Sequence, residues 1–260
     1  MQTEALTAAA ETVVAARLGR RRLGRLQALE RLEDGYAVQA AANARLEAVL
    51  GPRVGHKIGG TTAAMRRYLN VPEPMAGEIF TAQAHPDGAS VRRDDHVRLG
   101  IETEIAVRLG RDLPPRSEPY RRADVAEAVA AVMAAIELVD DRYEDFATIG
   151  AATLIADNAF DAGSILGAPV ADWRGLDLGR LVARTIRDGV VIAEGTSDAL
   201  YGHPLDALAW LAERRRMLGL GLAAGSFVSL GSITPVAWVE GPARYRIEVE
   251  RLGAVEVVTT

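Results

Sequence analysis

The stretch GIETEIAV, residues 100 to 107, restricts the fold more than any other part of the chain. Its β-branched residues favour a strand, in which alternate side chains share a face. Glu102 and Glu104 then stand side by side, while Ile101, Thr103, Ile105 and Val107 turn the other way. The apolar face needs a core beneath it. The carboxylate face either looks into water, as an ordinary half-exposed strand does, or turns inward and needs a positive partner.

The flanking sequence shows what such a strand would join. Residues 3 to 50 are rich in alanine, leucine and arginine, with Leu23, Leu26, Leu29 and Leu32 at helical spacing. A turn at Asp34-Gly35 opens a helix over Tyr36–Leu50, which Gly51-Pro52 ends. A short strand leads into the Gly-Gly turn of GHKIGGTT, and a helix follows over Ala63–Leu69. Residues 76 to 110 read as strands and turns. Residues 122 to 135 read as a helix capped by Asp124, and IELVDDRY as an apolar strand ending in charges. Beyond residue 176, strands surround one strong helix, Pro204–Leu218. The tail alternates Tyr245, Ile247 and Val249 against Arg244, Arg246, Glu248 and Glu250, then turns back at Leu252-Gly253. The fold class is therefore α+β, a helical N-terminal lobe (residues 1–75) followed by a mostly β body (residues 76–260).

Composition removes several functions. A net charge of -5 disfavours a nucleic-acid partner, and the basic stretch AARLGRRRLGR reads as a solvated helix face. No cysteine is present, so disulfides and thiolate metal sites are excluded. No apolar run approaches a membrane span, and the N-terminus lacks the charge order of a secretory signal. A soluble, cytoplasmic protein is the expectation. The four histidines show no zinc-binding spacing, and His203 reads as structural. GLGLAA (219–224) follows a helix rather than a strand, which defeats a dinucleotide reading.

Three features remain. Glu102 and Glu104 form the pair described above. Glu137 sits within AAIELVDD, a carboxylate either at a sheet edge or buried with compensation. Lys57 stands just before a Gly-Gly-Thr-Thr turn whose N–H groups and hydroxyls suit a substrate carboxylate. Three glutamates without histidine suit a hard divalent cation, Mg²⁺ or Mn²⁺, rather than zinc.

The order of these motifs resembles the 2-keto-4-pentenoate hydratase / 2-oxo-3-hexenedioate (4-oxalocrotonate) decarboxylase family, within the fumarylacetoacetate hydrolase superfamily. The resemblance rests on DGYAVQ (34–39), GHKIGGTT (55–62), GIETEIAVRLGRDL (100–113), AAIELVDDRYEDF (134–146), IADNA (155–159), YGHPLDALAWLA (201–212) and VSLGSITPV (228–236). It implies a distorted β-roll, a homo-oligomer (in some cases complexed with a pathway neighbour) and metal ligation by Glu102, Glu104 and Glu137. It implies Lys57 as the catalytic lysine, moving a proton or anchoring a far carboxylate. Thr61, Thr62, Asp157, Asn158 and Ser232 are the implied substrate contacts.

The implied activity is metal-dependent chemistry on a small 2-oxo acid, led by hydration of a 2-hydroxydienoate in aromatic meta-cleavage catabolism. Decarboxylation of a 2-oxo-3-hexenedioate comes second, then acylpyruvate hydrolysis, then a non-catalytic partner subunit. Four departures stand out. Met75 in PEPMAG (72–77) replaces an aspartate regarded as an acid-base group in the hydratases. Phe160 replaces a serine or alanine after the IADNA motif, Gly100 a proline, and Gly60 a leucine.

Overall fold

The computed structural model describes residues 2–260. In chain order the elements are α1 (Gln2–Gly19), α2 (Leu32–Leu50), β1 (Arg53–Gly59), α3 (Ala63–Leu69), β2 (Met75–Phe80), β3 (Ala84–His85), β4 (Ala89–Val91) and β5 (Leu99–Leu109). Next come α4 (Arg122–Ala128), β6 (Val129–Asp140), α5 (Ala151–Ala156), β7 (Asp161–Leu166), β8 (Val182–Arg187), β9 (Val190–Thr196) and α6 (Pro204–Met217). The chain closes with β10 (Phe227–Ser232), β11 (Ala237–Trp238), β12 (Ala243–Val249) and β13 (Gly253–Thr259).

Two mixed sheets form the β body. One runs β2-β1-β10-β5-β6-β7-β3, with β11 also paired to β5; the other runs β4-β13-β12-β8-β9. The main core lies where they face each other. Ile101, Ile105 and Val107 of β5 and Ile136 and Leu138 of β6 join Tyr245, Ile247 and Val249 of β12 and Val255 and Val257 of β13. Burying each such side chain is worth roughly 1.5–3 kcal/mol, which holds the apolar face of the E-x-E strand inward. Thr103, on that same face, is satisfied by a buried hydroxyl chain, 2.6 Å to Thr185 and then 2.9 Å to Thr234.

A second core joins the helices to the back of the larger sheet, with Val13, Val38, Ala42, Leu154 and Ile155 packed beside Met75 and Tyr143. Buried ions pin this layer. Arg17 of α1 meets Asp161 at 2.9 Å, and Arg142 meets Asp157 at 3.0 Å and Asp140 at 3.4 Å. The expected boundary at residue 75 leaves β1 with the helical lobe, although β1 lies within the larger sheet between β2 and β10. None of the described helices is long and apolar enough to cross a membrane.

Two expected helices differ. The leucine-spaced segment after α1 is not helical: Arg20 takes φ +52°, and the Leu23 N–H donates to the Arg142 carbonyl at 2.6 Å. Long-range packing of Leu23 and Leu29 replaces the helix there. Residues 129–135 belong to β6, paired along one side by β5, with Val132 bridged to Val170 on the other side and β7 joining only from Ala135, so sheet burial overrides the helix propensity of its alanines. Asp34-Gly35 lies inside the first turn of α2 rather than before it. There the Asp34 carboxylate accepts from the Arg31 N–H at 3.0 Å.

Candidate metal centre and active site

The register of four strands assembles the site. Glu102 pairs with Glu137 across β5 and β6, and Glu104 lies one alternate position along the same face. On β10, Ser229 pairs with Ala106 of β5, and on β1 Lys57 pairs with Ser229. Lys57, Ser229, Glu102, Glu104 and Glu137 therefore share the face opposite the main core. One carboxylate oxygen from each of the three glutamates lies within 4.8 Å of the others.

The partners of these groups are specific. Glu104 Oε2 accepts from Ser229 Oγ in a short hydrogen bond and from the Gly231 N–H at 3.1 Å. Lys57 Nζ sits 2.7 Å from Glu137 Oε1 as an ion pair and donates to the Ala159 carbonyl at 2.6 Å. Glu104 Oε1 and Glu137 Oε2 are buried with no hydrogen-bond partner.

Backbone conformation makes this geometry attainable. A Cβ on Gly77, the β2 partner of Lys57, would lie 2.9 Å from Lys57 Cδ; a Cβ on Gly231, at φ +109°, would lie 2.5 Å from Thr61 Oγ1. After α5, Asn158, Ala159 and Phe160 take φ of +62°, +49° and +68° in succession. Such conformations cost roughly 1–3 kcal/mol each when held by their surroundings. Here they aim the Ala159 carbonyl at Lys57. Asn158 secures the turn, donating to the Glu78 carbonyl at 2.6 Å and accepting from the Glu78 N–H at 3.0 Å, much as a neighbouring strand would.

A cavity of about 560 Å³ opens in front of the cluster. Lys57, Thr61, Thr62, Glu102 and Ser232 line it, with Met75 and Phe160 in its wall. Glu104 and Glu137 lie deeper. Thr62 also caps α3, accepting from the Met65 N–H at 3.0 Å, and Ser232 Oγ donates to the Thr234 carbonyl at 2.7 Å. Asp157 and Asn158 do not reach the cavity. Both are buried behind its wall, where Asp157 Oδ2 accepts from Arg142 Nε at 3.1 Å and Asn158 is bonded to the Glu78 backbone. Ser229, the Gly231 N–H and the Ala159 carbonyl are site groups that the sequence reading passed over. Ser229 had one signal, its alternate spacing from Gly231 on an otherwise apolar strand.

Burial, then repulsion from Glu137, pushes the Glu102 carboxyl up to about 8. The same two causes hold Glu104 well above the usual carboxylate range, and burial raises Glu137 against the pull of Lys57. Burial alone would lower Lys57, but Glu137, Glu102 and Glu104 together outweigh it and hold the ammonium above its ordinary value. With all three carboxylates ionised, as metal ligation requires, one ammonium would leave two formal negative charges. The all-oxygen donor set, its unpartnered oxygens and this excess charge fit a hard divalent cation.

Residues 59–259 match the model of the fumarylacetoacetate (FAA) hydrolase C-terminal family. The chain belongs to this family. Two relatives named 2-keto-4-pentenoate hydratase align with this FAA hydrolase family member over most of their length. The one from Burkholderia vietnamiensis is 36% identical over 226 residues, 86% of this chain and 85% of its own. The one from Paraburkholderia phymatum is 37% identical over 221 residues, 85% of this chain and 83% of its own. The solved 4-oxalocrotonate decarboxylase from Pseudomonas putida G7, complexed with magnesium and adipate, superposes with a TM-score of 0.93 at 28% identity, covering 100% of this chain and 99% of that one. The expected β-roll with its helical N-terminal region is thus the fold observed.

Proposed function

We propose that this chain is a divalent-metal-dependent hydratase that converts a 2-hydroxy-2,4-dienoate and water into a 4-hydroxy-2-oxo acid. The observation that carries the reading is the cluster of Glu102, Glu104 and Glu137, with unpartnered oxygens, at the floor of a cavity that Lys57 enters. These glutamates would hold Mg²⁺ or Mn²⁺. When bound, the cation supplies Lewis acidity for the negative charge that develops next to the substrate carboxylate.

The chain's own groups account for the remaining needs. Hydration places the water oxygen on C4 and hydrogens on C3 and C5, while the 2-hydroxyl loses its proton. Lys57 holds a proton at Nζ on the cavity wall, and Glu137 with the Ala159 carbonyl fix its direction. Since Met75 offers no titratable group where the resemblance places a hydratase aspartate, Lys57 takes the proton-transfer role. Thr61 and Ser232 present hydroxyls to the substrate from the Gly-Gly-Thr-Thr turn and the end of β10. Val190, Val191 and Ile192, exposed on the edge strand β9, support assembly of this chain into a homo-oligomer.

Met75, at a position where the resemblance gives the related decarboxylases an apolar residue, and the full-length match to a decarboxylase favour one second reading, loss of CO₂ from a 2-oxo-3-hexenedioate at the same centre. Turnover of 2-hydroxypenta-2,4-dienoate and of 2-oxo-3-hexenedioate, with Mg²⁺ and with chelator, separates the two. Metal-dependent formation of the hydrated acid is the expected result. Metal-dependent CO₂ release without hydration would replace the first reading by the second.

A further inference from the structure

We infer that the cavity is built for a 2-oxo or 2-hydroxydienoic monoacid with a bulky apolar tail, aryl in size, and not for a diacid. The inference rests on the metal-centre reading for the acid head and concerns the other end of the substrate.

The size of the space comes first. A five-carbon acid fills only a small part of about 560 Å³, a volume within the roughly 300–1,000 Å³ range of pockets that enclose drug-sized ligands. Two of the polar groups that line it, Thr61 and Ser232, lie at the glutamate end. Ser232 is in register with Glu104, and Thr61 packs against Gly231, whose N–H binds the same carboxylate.

Two apolar groups form much of the remaining wall. Tyr68, Phe146 and Phe160 make an edge-to-face ladder, with ring centroids 5.5 Å and then 5.9 Å apart. Phe160 holds its place through the left-handed turn after α5 and a further edge contact of 4.8 Å with Tyr143. Val139, Val236 and Trp238 form the second group, gathered over Gly100. A Cβ there would lie 2.6 Å from Val236, 2.8 Å from Val139 and 2.9 Å from Trp238, so the absent side chain is what lets them close together. Such rings favour a flat apolar tail, which gains both burial and edge-to-face contact.

Charge gives the third line of argument. Lys57 is the one cation among the lining residues, and Glu137 already pairs with it. Two arginines touch wall residues from outside and have other partners. Arg66 donates to the Gly60 and Thr61 carbonyls, while Arg98 pairs with Asp141 at 3.2 Å and stacks on the Trp238 ring. A second carboxylate in the apolar region would therefore be desolvated without a counter-charge.

The test is calorimetric binding to the Mg²⁺-loaded chain of three 2-oxo acids that share a head: 2-oxobutanoate, 2-oxo-4-phenylbutanoate and 2-oxoadipate. The aryl acid is expected to bind at least about tenfold tighter than the diacid. The substitution Phe146→Ala, at a half-buried loop position, should reduce that ratio several-fold. Equal or tighter binding of 2-oxoadipate by the unsubstituted chain would overturn the inference and mark the recess as one that desolvates a carboxylate about to leave as CO₂. That result leaves the metal centre standing. If none of the three acids binds in a metal-dependent way, the metal-centre reading falls, and this inference falls with it.

Discussion

At the residue scale, the site depends on how each carboxylate is held. Glu104 keeps its direction through Ser229 Oγ and the Gly231 N–H, and that leaves Oε1 turned toward the other glutamates without a partner. Groups that orient a metal ligand in this way affect affinity by about 10–100-fold. Ser229→Ala is therefore expected to weaken Mg²⁺ binding within that range while leaving the fold intact, as a calorimetric titration beside a circular-dichroism melt would show. An unchanged affinity would mean that the Gly231 N–H alone orients the carboxylate. Strand alternation made the pairing of Glu102 and Glu104 legible in the sequence, whereas Glu137 and Lys57, which lie on other strands, were picked out by the order of motifs that the family resemblance rests on. The Ala159 carbonyl and Ser229 were not. Their roles depend on a left-handed turn and on the register between β1, β10 and β5, neither of which alternation alone specifies. Asp157 and Asn158 show the converse: polar residues within a recognisable motif, whose burial behind the wall only tertiary packing decides.

At the element scale, the clearest patterns survived and the ambiguous ones did not. The hairpin of β12 and β13 matches its alternation residue for residue, because one face of it is core and the other is water. Helix α6 likewise starts at Pro204, with His203 as its cap accepting from the Leu205 N–H at 3.1 Å. By contrast, VAAVMAA has neither clear period, and its pairing with β5 decides that it is a strand. The leucines after α1 keep a helical period but make their contacts one at a time along an irregular segment. Gly35 illustrates a further limit. Its place inside α2 brings that helix against α5, where a Cβ would lie 2.5 Å from the Ala152 carbonyl, a close approach that the turn-like dipeptide Asp-Gly conceals.

At the scale of the whole molecule, the cluster of three glutamates is a charge problem that folding leaves unresolved. Glu102 is raised to about 8, and Glu104 and Glu137 are raised too, so the folded metal-free chain binds protons more tightly than the unfolded one. For a raised carboxyl, the stabilising contribution is fully present below the unfolded value near 4.5 and is lost as pH rises through the folded value. His56, held down near 4 chiefly by its burial, stays neutral in the folded chain while the unfolded chain begins to protonate it near pH 6.5, so it opposes the trend by only about 0.4 kcal/mol at the lower end of the window between pH 8.5 and 6.5. Chelator-treated protein is thus expected to gain stability, of order 2 kcal/mol, as pH falls across that window. Excess Mg²⁺ should reverse the slope, because the cation needs the deprotonated carboxylates. Thermal melts at the two pH values, with and without metal, would measure both slopes.

The central claim is that Glu102, Glu104 and Glu137 together hold the cation on which activity depends. Its most direct measurement is a calorimetric Mg²⁺ titration of the unsubstituted chain beside Glu104→Gln, with hydration of 2-hydroxypenta-2,4-dienoate followed at each degree of saturation. The account predicts one site per chain, a rate that rises in proportion to its occupancy, and a folded Glu104→Gln variant with neither binding nor turnover. A variant that still binds Mg²⁺ with unchanged affinity, or a rate that ignores occupancy, would contradict it.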